Sequence, residues 1–383
     1  MTTAQVPIAI IGAGPAGLTL ARLLELANIA YMVFEKSTSA DLTDEESRSG
    51  TLDIHRDSGQ EALRAAGLFD SFQSVARYNV PVRIADDEDH VLADIPGEEN
   101  NDKPEIDRKD LQKILLASVP AARIRWGCAV VRTETDQDGT MSLYDKDGQV
   151  VADGFSLVVG ADGAWSKVRA QVASELPQLC NIRVFTSIIK PQDPTYELAE
   201  SLAEKGNYLA LGNERQIFLH YLGDDTYHLS AAITTTQLAE SRRTVHEPSE
   251  LWNLWLEKEF STWNPRLREL LEHSQQSFQS WPLYSMTEDS VTWQSIKGVT
   301  LIGDAAHLTV PSGGGVNNAM HDAHDLSKRI IKYGLRDLHR AALEYEEELR
   351  PRALGIVKKG NWFAEHFFRG RGAAAFLEAA SSG

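Results

Sequence analysis

The chain has 383 residues, 42% of them apolar and 24% charged, with 38 Lys+Arg against 55 Asp+Glu and a formal net charge of −17. That length predicts two or three folding units with material for a sizeable core, and so large a negative charge excludes nucleic-acid phosphates and anionic membrane surfaces as partners. No run approaches the ~20 consecutive apolar residues of a membrane-spanning helix, and two cysteines, Cys128 and Cys180, cannot make a disulfide framework or a four-thiolate metal site.

Met1–Gln5 has no basic start of a secretory signal, so a reducing, cytoplasmic setting is expected. The first forty residues read as β-α-β. Val6–Ile11 is an apolar run of the kind buried in a parallel sheet, with Pro7 tolerable near its start. Leu18, Leu20, Ala21, Leu23, Leu24 and Ala27 give a helical apolar face, and Tyr31–Phe34 is a second buried strand ending at Glu35. The acidic segments Asp41–Glu46 and Asp86–Asp89 read as loose. Asp110–Val119 is helical, and Phe155–Val159 is a buried strand ahead of a Gly-Ala-Asp-Gly turn. Between Leu179 and Tyr284 the pattern changes: the alternating runs Gln216–Tyr221 and Thr226–Ile233 predict antiparallel strands with one solvated face. A helical stretch with Trp252, Trp255 and Trp263 follows, and these rings are expected in a core. Val299–Ile302 is another buried strand, and the helix from about Val316 carries a stripe of Val316, Ala319, Met320, Ala323, Leu326 and Ile330. A last helix starts near Leu338, and the tail from Arg369 reads as loose. The expected fold is α/β. A discontinuous nucleotide domain (1–75, 103–178, 286–345) carries an inserted antiparallel β-rich substrate domain (76–102, 179–285), and a C-terminal helix spans 346–383.

The chemistry concentrates in turns after the buried strands. In Gly12-Ala-Gly14-Pro-Ala16-Gly17, Gly12 permits the tight turn, Gly14 lets the backbone approach a pyrophosphate, and Gly17 lets the helix pack on the strand. The helix opening through Ala16 offers unpaired N–H groups and the positive end of its dipole. Glu35, about 20 residues on, can accept hydrogen bonds from both hydroxyls of an adenosine ribose. This fingerprint does not separate FAD from NAD(P). Two further motifs do: Asp162-Gly163-Ala-Trp-Ser166-Lys-Val168-Arg169 and Gly303-Asp304-Ala-Ala-His307. Asp304 is a strand-end carboxylate able to hold a polyhydroxylated chain. Beyond it, Pro311 and Ser312-Gly313-Gly314-Gly315 give side-chain-free backbone for a flat ring. The helix opening at Val316 and Asn317 aims N–H groups where a reduced flavin becomes anionic.

In order and spacing these motifs resemble the class A FAD-dependent aromatic hydroxylases built on the p-hydroxybenzoate hydroxylase fold. Within that group the chain is most similar to the tetracycline-inactivating flavin monooxygenases, through Gly50–His55 with Ser58–Ala62, Pro104–Leu111 and Glu259–Trp263. The resemblance implies a Rossmann-like FAD domain with non-covalent FAD, NADPH or NADH as a transient co-substrate, and O2. It implies that Glu35 and Lys36 (Arg in many members) serve the adenosine, that Arg48 and Arg108 serve the cofactor, and that Asp304 holds the ribityl chain. Pro311, Gly313, Gly314, Gly315, Val316 and Asn317 then lie at the flavin, and Asp162, with Arg169, serves FAD and nicotinamide binding. It further implies insertion of one oxygen atom, through a flavin C(4a)-hydroperoxide, into an aromatic or polycyclic, secondary-metabolite-like molecule, with no side chain assigned as catalyst. Tyr208 aligns where tetracycline-inactivating enzymes carry an Arg on the drug, which points to a different substrate. His228, in an alternating strand, is the second substrate candidate.

Several residues have blander alternatives. Asp53 and His55 could face the flavin edge or be a structural strand-end pair. His321, His324 and Asp325 have metal-ligand spacing, but the stripe beside them turns them toward solvent, and no metal is expected. No G-x-S-x-G, H-E-x-x-H or phosphate-binding loop occurs. A dehydrogenase, reductase or halogenase of the same fold is the alternative enzyme, and a non-catalytic flavin-binding protein is the alternative to catalysis.

Overall fold

The four buried runs pair, with the added short strand Ile124–Arg125, as a five-stranded parallel sheet. Its order is Val299–Leu301, Leu157–Gly160, Ile8–Ile11, Tyr31–Phe34 and Ile124–Arg125. A computed structural model describes residues 7–39, 50–97, 102–235, 245–246, 255–273 and 279–382. Ile8–Ile11 and Leu157–Gly160 are buried at every position, as expected of strands covered on both faces. The helix Pro15–Leu26 has Pro at its first position, where a missing N–H costs no helical hydrogen bond. It packs against the long helix Gly315–Tyr333, whose Ala319, Met320, Ala323, Leu326 and Ile330 are buried as their spacing predicts. Arg108–Ala117 is the helix expected at 110–119.

The second large sheet has eight strands. They run Val245–His246, Gln279–Ser285, Gln178–Ile189, Tyr227–Thr234, Arg215–Tyr221, Asn207–Gly212, Val82–Asp86 and Val91–Ile95. Asp86–Asp89, read as loose, is the turn of its edge hairpin. One face is packed, as a sheet with a single solvated face requires. It is covered by Tyr196–Ala203, Pro265–His273 and the buried Leu256, Phe260 and Trp263. Trp255 packs on this cluster, while Trp252, Arg48 and Asp41–Glu46 lie outside the described residues. The opposite face carries half-exposed Val184, Phe218, His220 and Ser230.

A ribbon joins the sheets: Thr51–Asp53 pairs antiparallel with Glu105–Asp107. Three features were not legible in the sequence. Arg132–Thr135, Met141–Tyr144 and Val150–Phe155 form a small antiparallel sheet. The C-terminal region is not one helix. Leu338–Phe363 runs through Pro351, passes into a π-helical turn at Ala364–Phe368, and is followed by a separate helix, Ala373–Ser382. The tail from Arg369 is therefore structured, and it packs on Val82–Asp86 and Asn207–Gly212.

Candidate active site

Because the strands are parallel neighbours, their C-terminal ends share one edge. Across that edge lie, in order, Asp304, Asp162, Gly12 and Glu35. Ligands of open α/β sheets bind outside such carboxyl ends.

The glycine turn divides its labour. Gly12 has φ +110°, and a Cβ there would lie 2.3 Å from the Ala161 carbonyl oxygen; a Cβ at Gly17 would lie 2.1 Å from that of Gly12. The protein's own packing demands both. Gly14 has ordinary extended backbone (φ −77°, ψ 179°), and its Cβ would meet no atom within 4 Å. Among the described residues no packing requires glycine there, which leaves clearance beside the turn. Leu18 N donates to Gly14 O at 2.9 Å, which leaves the Ala16 and Gly17 N–H groups at the open end of the helix. The Glu35 carboxylate closes onto this turn: Oε2 accepts from Ala13 N (2.7 Å), and Oε1 accepts from Ser37 N (2.9 Å) and Oγ (3.0 Å). Lys36 is exposed.

Asp304 is exposed at the start of the short helix Asp304–His307. Its turn is pinned from within. The fully buried Asp322 accepts from Gly303 N (2.8 Å) and meets His307 Nε2 (2.7 Å) through Oδ2, while Oδ1 accepts from Arg352 (2.9 Å). Burial works to lower His307, but the Asp322 carboxylate outweighs it and holds the imidazole above its ordinary 6.5. Arg169, buried and pushed down to about 10 by that burial, donates to the carbonyls of Ala305 (3.2 Å), Ala306 (3.1 Å) and Ser290. Asp162 accepts from Ser166 Oγ (2.6 Å) and Lys167 N (2.6 Å), and burial raises its pKa. Both side chains thus help to build the turns at this edge.

The loop before the long helix is open. Pro311, Gly313 and Gly315 are exposed, and a Cβ at Gly313 or Gly315 would meet nothing within 4 Å. Asn318 N bonds Gly314 O (2.9 Å), so the N–H groups of Gly315, Val316 and Asn317 stand free of the helical ladder. The Asn317 side chain is otherwise engaged: Oδ1 accepts from His55 N (2.8 Å) and Nδ2 donates to Asp53 O (2.7 Å). Burial and Glu105 push the Asp53 carboxyl up to about 6. Arg108 opens its helix with its N–H on Gly50 O (3.0 Å).

Of the two substrate candidates, the structure brings His228 to the cofactor side and takes Tyr208 away. Tyr208 pairs with Leu219 and lies fully buried under the helices, its hydroxyl donating to Asp89 (2.5 Å). His228 pairs with His220 on the opposite face, 3.7 Å from where a Gly50 Cβ would stand. Strand alternation turns Tyr208 to the face that the helices cover. Asp325, expected in solvent, is buried and ion-paired to Arg329, while His321 and His324 are half-buried. No group of three His, Cys, Asp or Glu able to hold a metal occurs among the described residues. Sequence reasoning missed Asp322, Asn207, Gln216 and His220. The last three could have been found by extending the alternation from His228 to its neighbouring strands.

The donor set fits FAD: clearance at Gly14 and Gly315, free N–H groups at two helix starts, and carboxylates at Glu35 and Asp304. The sequence model of the FAD binding domain family matches residues 5–359. The chain belongs to that family, and with it to the FAD-dependent monooxygenases of the aromatic-hydroxylase fold. It is 28% identical to monooxygenase asqM of Emericella nidulans, over 86% of this chain and 84% of that protein. It is 27% identical to 3-amino-4-hydroxybenzoate 2-monooxygenase of Streptomyces cremeus, over 96% and 89%. Among solved structures, Klebsiella pneumoniae HpxO complexed with FAD and uric acid matches with TM-score 0.76 at 19% identity, covering 98% of this chain and 91% of that one. Tetracycline destructase Tet(55) matches with TM-score 0.74 at 20% identity, covering 100% and 95%.

Proposed function

We propose that the chain uses NADPH or NADH and O2 to insert one oxygen atom into an aromatic or polycyclic small molecule. The observation that carries this reading is the pair of glycines, Gly14 and Gly315, that neither backbone angle nor packing among the described residues explains, set on the sheet edge that also bears Glu35 and Asp304. Bound FAD supplies the redox chemistry by passing electrons from the nicotinamide to O2. The chain's own residues hold and shield it. Glu35 takes the ribose hydroxyls, the Ala16 and Gly17 N–H groups take the pyrophosphate, and Asp304 takes the ribityl chain. The N–H groups of Gly315, Val316 and Asn317 face the charge that reduction creates.

The substrate belongs on the eight-stranded sheet's half-exposed face, where apolar Val184 and Phe218 limit water. In this reading the five-stranded sheet belongs to the flavin portion and the eight-stranded sheet to the substrate portion. No helix among the described residues is long and apolar enough to cross a membrane, and two unpaired cysteines suit a reducing compartment such as the cytoplasm.

Reconstitution with FAD tests the reading. The protein should turn yellow, oxidise NADPH faster with a suitable aromatic, and transfer label from isotopic O2 to the product. Asp304→Ala should lose FAD on gel filtration. Label found only in hydrogen peroxide, with an unoxygenated product, would support an oxidase or dehydrogenase instead.

A further inference from the structure

On the cofactor-side face of the eight-stranded sheet, four buried side-chain atoms have no hydrogen-bond partner among the described residues: Asn207 Oδ1, Gln216 Oε1, His220 Nδ1 and His228 Nδ1. Register sets three of these side chains in a row, because Asn207 pairs with His220 and His220 with His228. Gln216 lies on the same strand and the same face as His220. The ring centroids of the two histidines are 5.9 Å apart, and Phe218 lies 3.8 Å from His220. Half-exposed Phe218, Ser230 and Val184 complete this surface, so the row borders accessible space and not a sealed core.

The row ends at the cofactor groove. Gly50 sits over His228, and the ribbon that begins there leads to Asp53, which Asn317 ties to the glycine-loop helix. Leaving a buried polar group without a partner is unfavourable, because its hydration is lost and not replaced. Four such groups on one strip are satisfied together when a ligand brings complementary atoms.

The chemistry of the four atoms limits that ligand. Two are amide oxygens, which only accept. The Asn207 orientation is set by its Nδ2, which donates to Glu105 Oε1 at 2.7 Å. Burial, with Arg108 adding to it, pushes His228 down to about 4; burial, His228 and Arg77 push His220 to about 3. Both rings are therefore neutral and give one donor or one acceptor each at the free nitrogen. The cations acting on the pair are committed elsewhere: Arg77 to Glu105 and Asp107, and Arg108 to the cofactor in the reading above. A carboxylate would press its oxygens against the Asn207 amide oxygen that Glu105 holds in place, whereas a phenolic hydroxyl or ring N–H donates to it.

We propose that Asn207, Gln216, His220 and His228 form the polar recognition edge of the substrate site, and that it selects an uncharged aromatic bearing hydroxyl or N–H groups over an aromatic carboxylate. This rests on the flavoenzyme reading and adds the substrate's chemical class to it.

The test titrates FAD-loaded protein with a dihydroxynaphthalene and with the same ring bearing a carboxylate. Binding is followed by the perturbed flavin absorbance and by calorimetry. The uncharged ring should bind about tenfold tighter or more, the equivalent of one neutral hydrogen bond. His220→Leu and Gln216→Leu should each weaken it about tenfold, and His220→Gln, which keeps a donor and an acceptor, should restore most of the loss. FAD affinity should not change in any of them. Equal or tighter binding of the carboxylate, binding of neither ring, or undiminished affinity in the Leu variants overturns the proposal. If either Leu variant fails to fold, Gln216→Met gives the same reading. Protein that takes up no FAD at all would sink the flavoenzyme reading instead.

Discussion

At Gly12 a side chain would collide with the Ala161 carbonyl, and at Gly14 it would meet nothing. Two residues of one motif thus answer to different masters, the fold and the ligand. Gly12→Ala should destabilise the FAD-free protein by more than about 2 kcal/mol, since it adds a positive-φ penalty to a backbone clash. Gly14→Ala should leave FAD-free melting almost unchanged and weaken FAD more than tenfold. Thermal melts and fluorescence titration with FAD separate the two; a Gly14→Ala protein that binds FAD normally would remove the pyrophosphate from that turn. Both glycines were legible in the sequence as a fingerprint. Their separate reasons were not, because spacing does not show which carbonyl stands beside each Cα. Tyr208 and His228 make the same point. Each lies in an alternating strand, but which face of the sheet the helices cover is a fact of packing.

Among elements, the short helix Asp304–His307 depends on a partner elsewhere in the chain. The long helix Gly315–Tyr333 supplies Asp322, whose carboxylate receives both Gly303 N and His307. For His307, with its pKa raised, the stabilisation is complete below 6.5 and is lost as pH rises through the raised value. Burial works to raise Asp322, but His307 and Arg352 outweigh it and hold the carboxyl low, so its share is complete above 3.8 and fails as pH falls through the lowered value. The ion pair is therefore whole from about 4 to 6.5. His307→Gln should lower the melting temperature most within that window, and the deficit should shrink in alkaline buffer, read as melting curves across pH. A pH-independent deficit would mean that the histidine acts by shape alone. The long, strongly periodic helices were legible from their stripes. The strands Arg132–Thr135 and Val150–Phe155 were not, because they are short and largely exposed and bury little apolar surface to mark a period.

At the scale of the whole molecule, the ribbon is tied to the eight-stranded sheet by a buried polar clamp. Arg77 pairs with Glu105 (3.3 Å) and Asp107 (2.6 Å), Glu105 also accepts from Asn207 on the eight-stranded sheet (2.7 Å), and Asp107 accepts from Gly223 N (3.0 Å). Asp107 immediately precedes Arg108, so this clamp fixes where the cofactor-side helix begins relative to the substrate face. Arg77→Met should destabilise the protein by about 3 kcal/mol or more, since it leaves two buried carboxylates without their cation. Denaturant unfolding measures it, and a loss under 1 kcal/mol would show that water reaches the clamp.

The sequence by itself determined four of the five parallel strands, the glycine turn with Glu35, and the Gly303-Asp304 motif, all of which are written in neighbouring residues whose spacing follows from strand and helix geometry. The tertiary structure alone decided that Asn317 holds Asp53 and His55, that Asp322 pins Gly303, and that Asn207, His220 and His228 stand in one row. Those are hydrogen bonds and registers between segments distant in the chain. They arise only once burial has chosen which faces meet, and a contact of that kind leaves no period in the sequence to read.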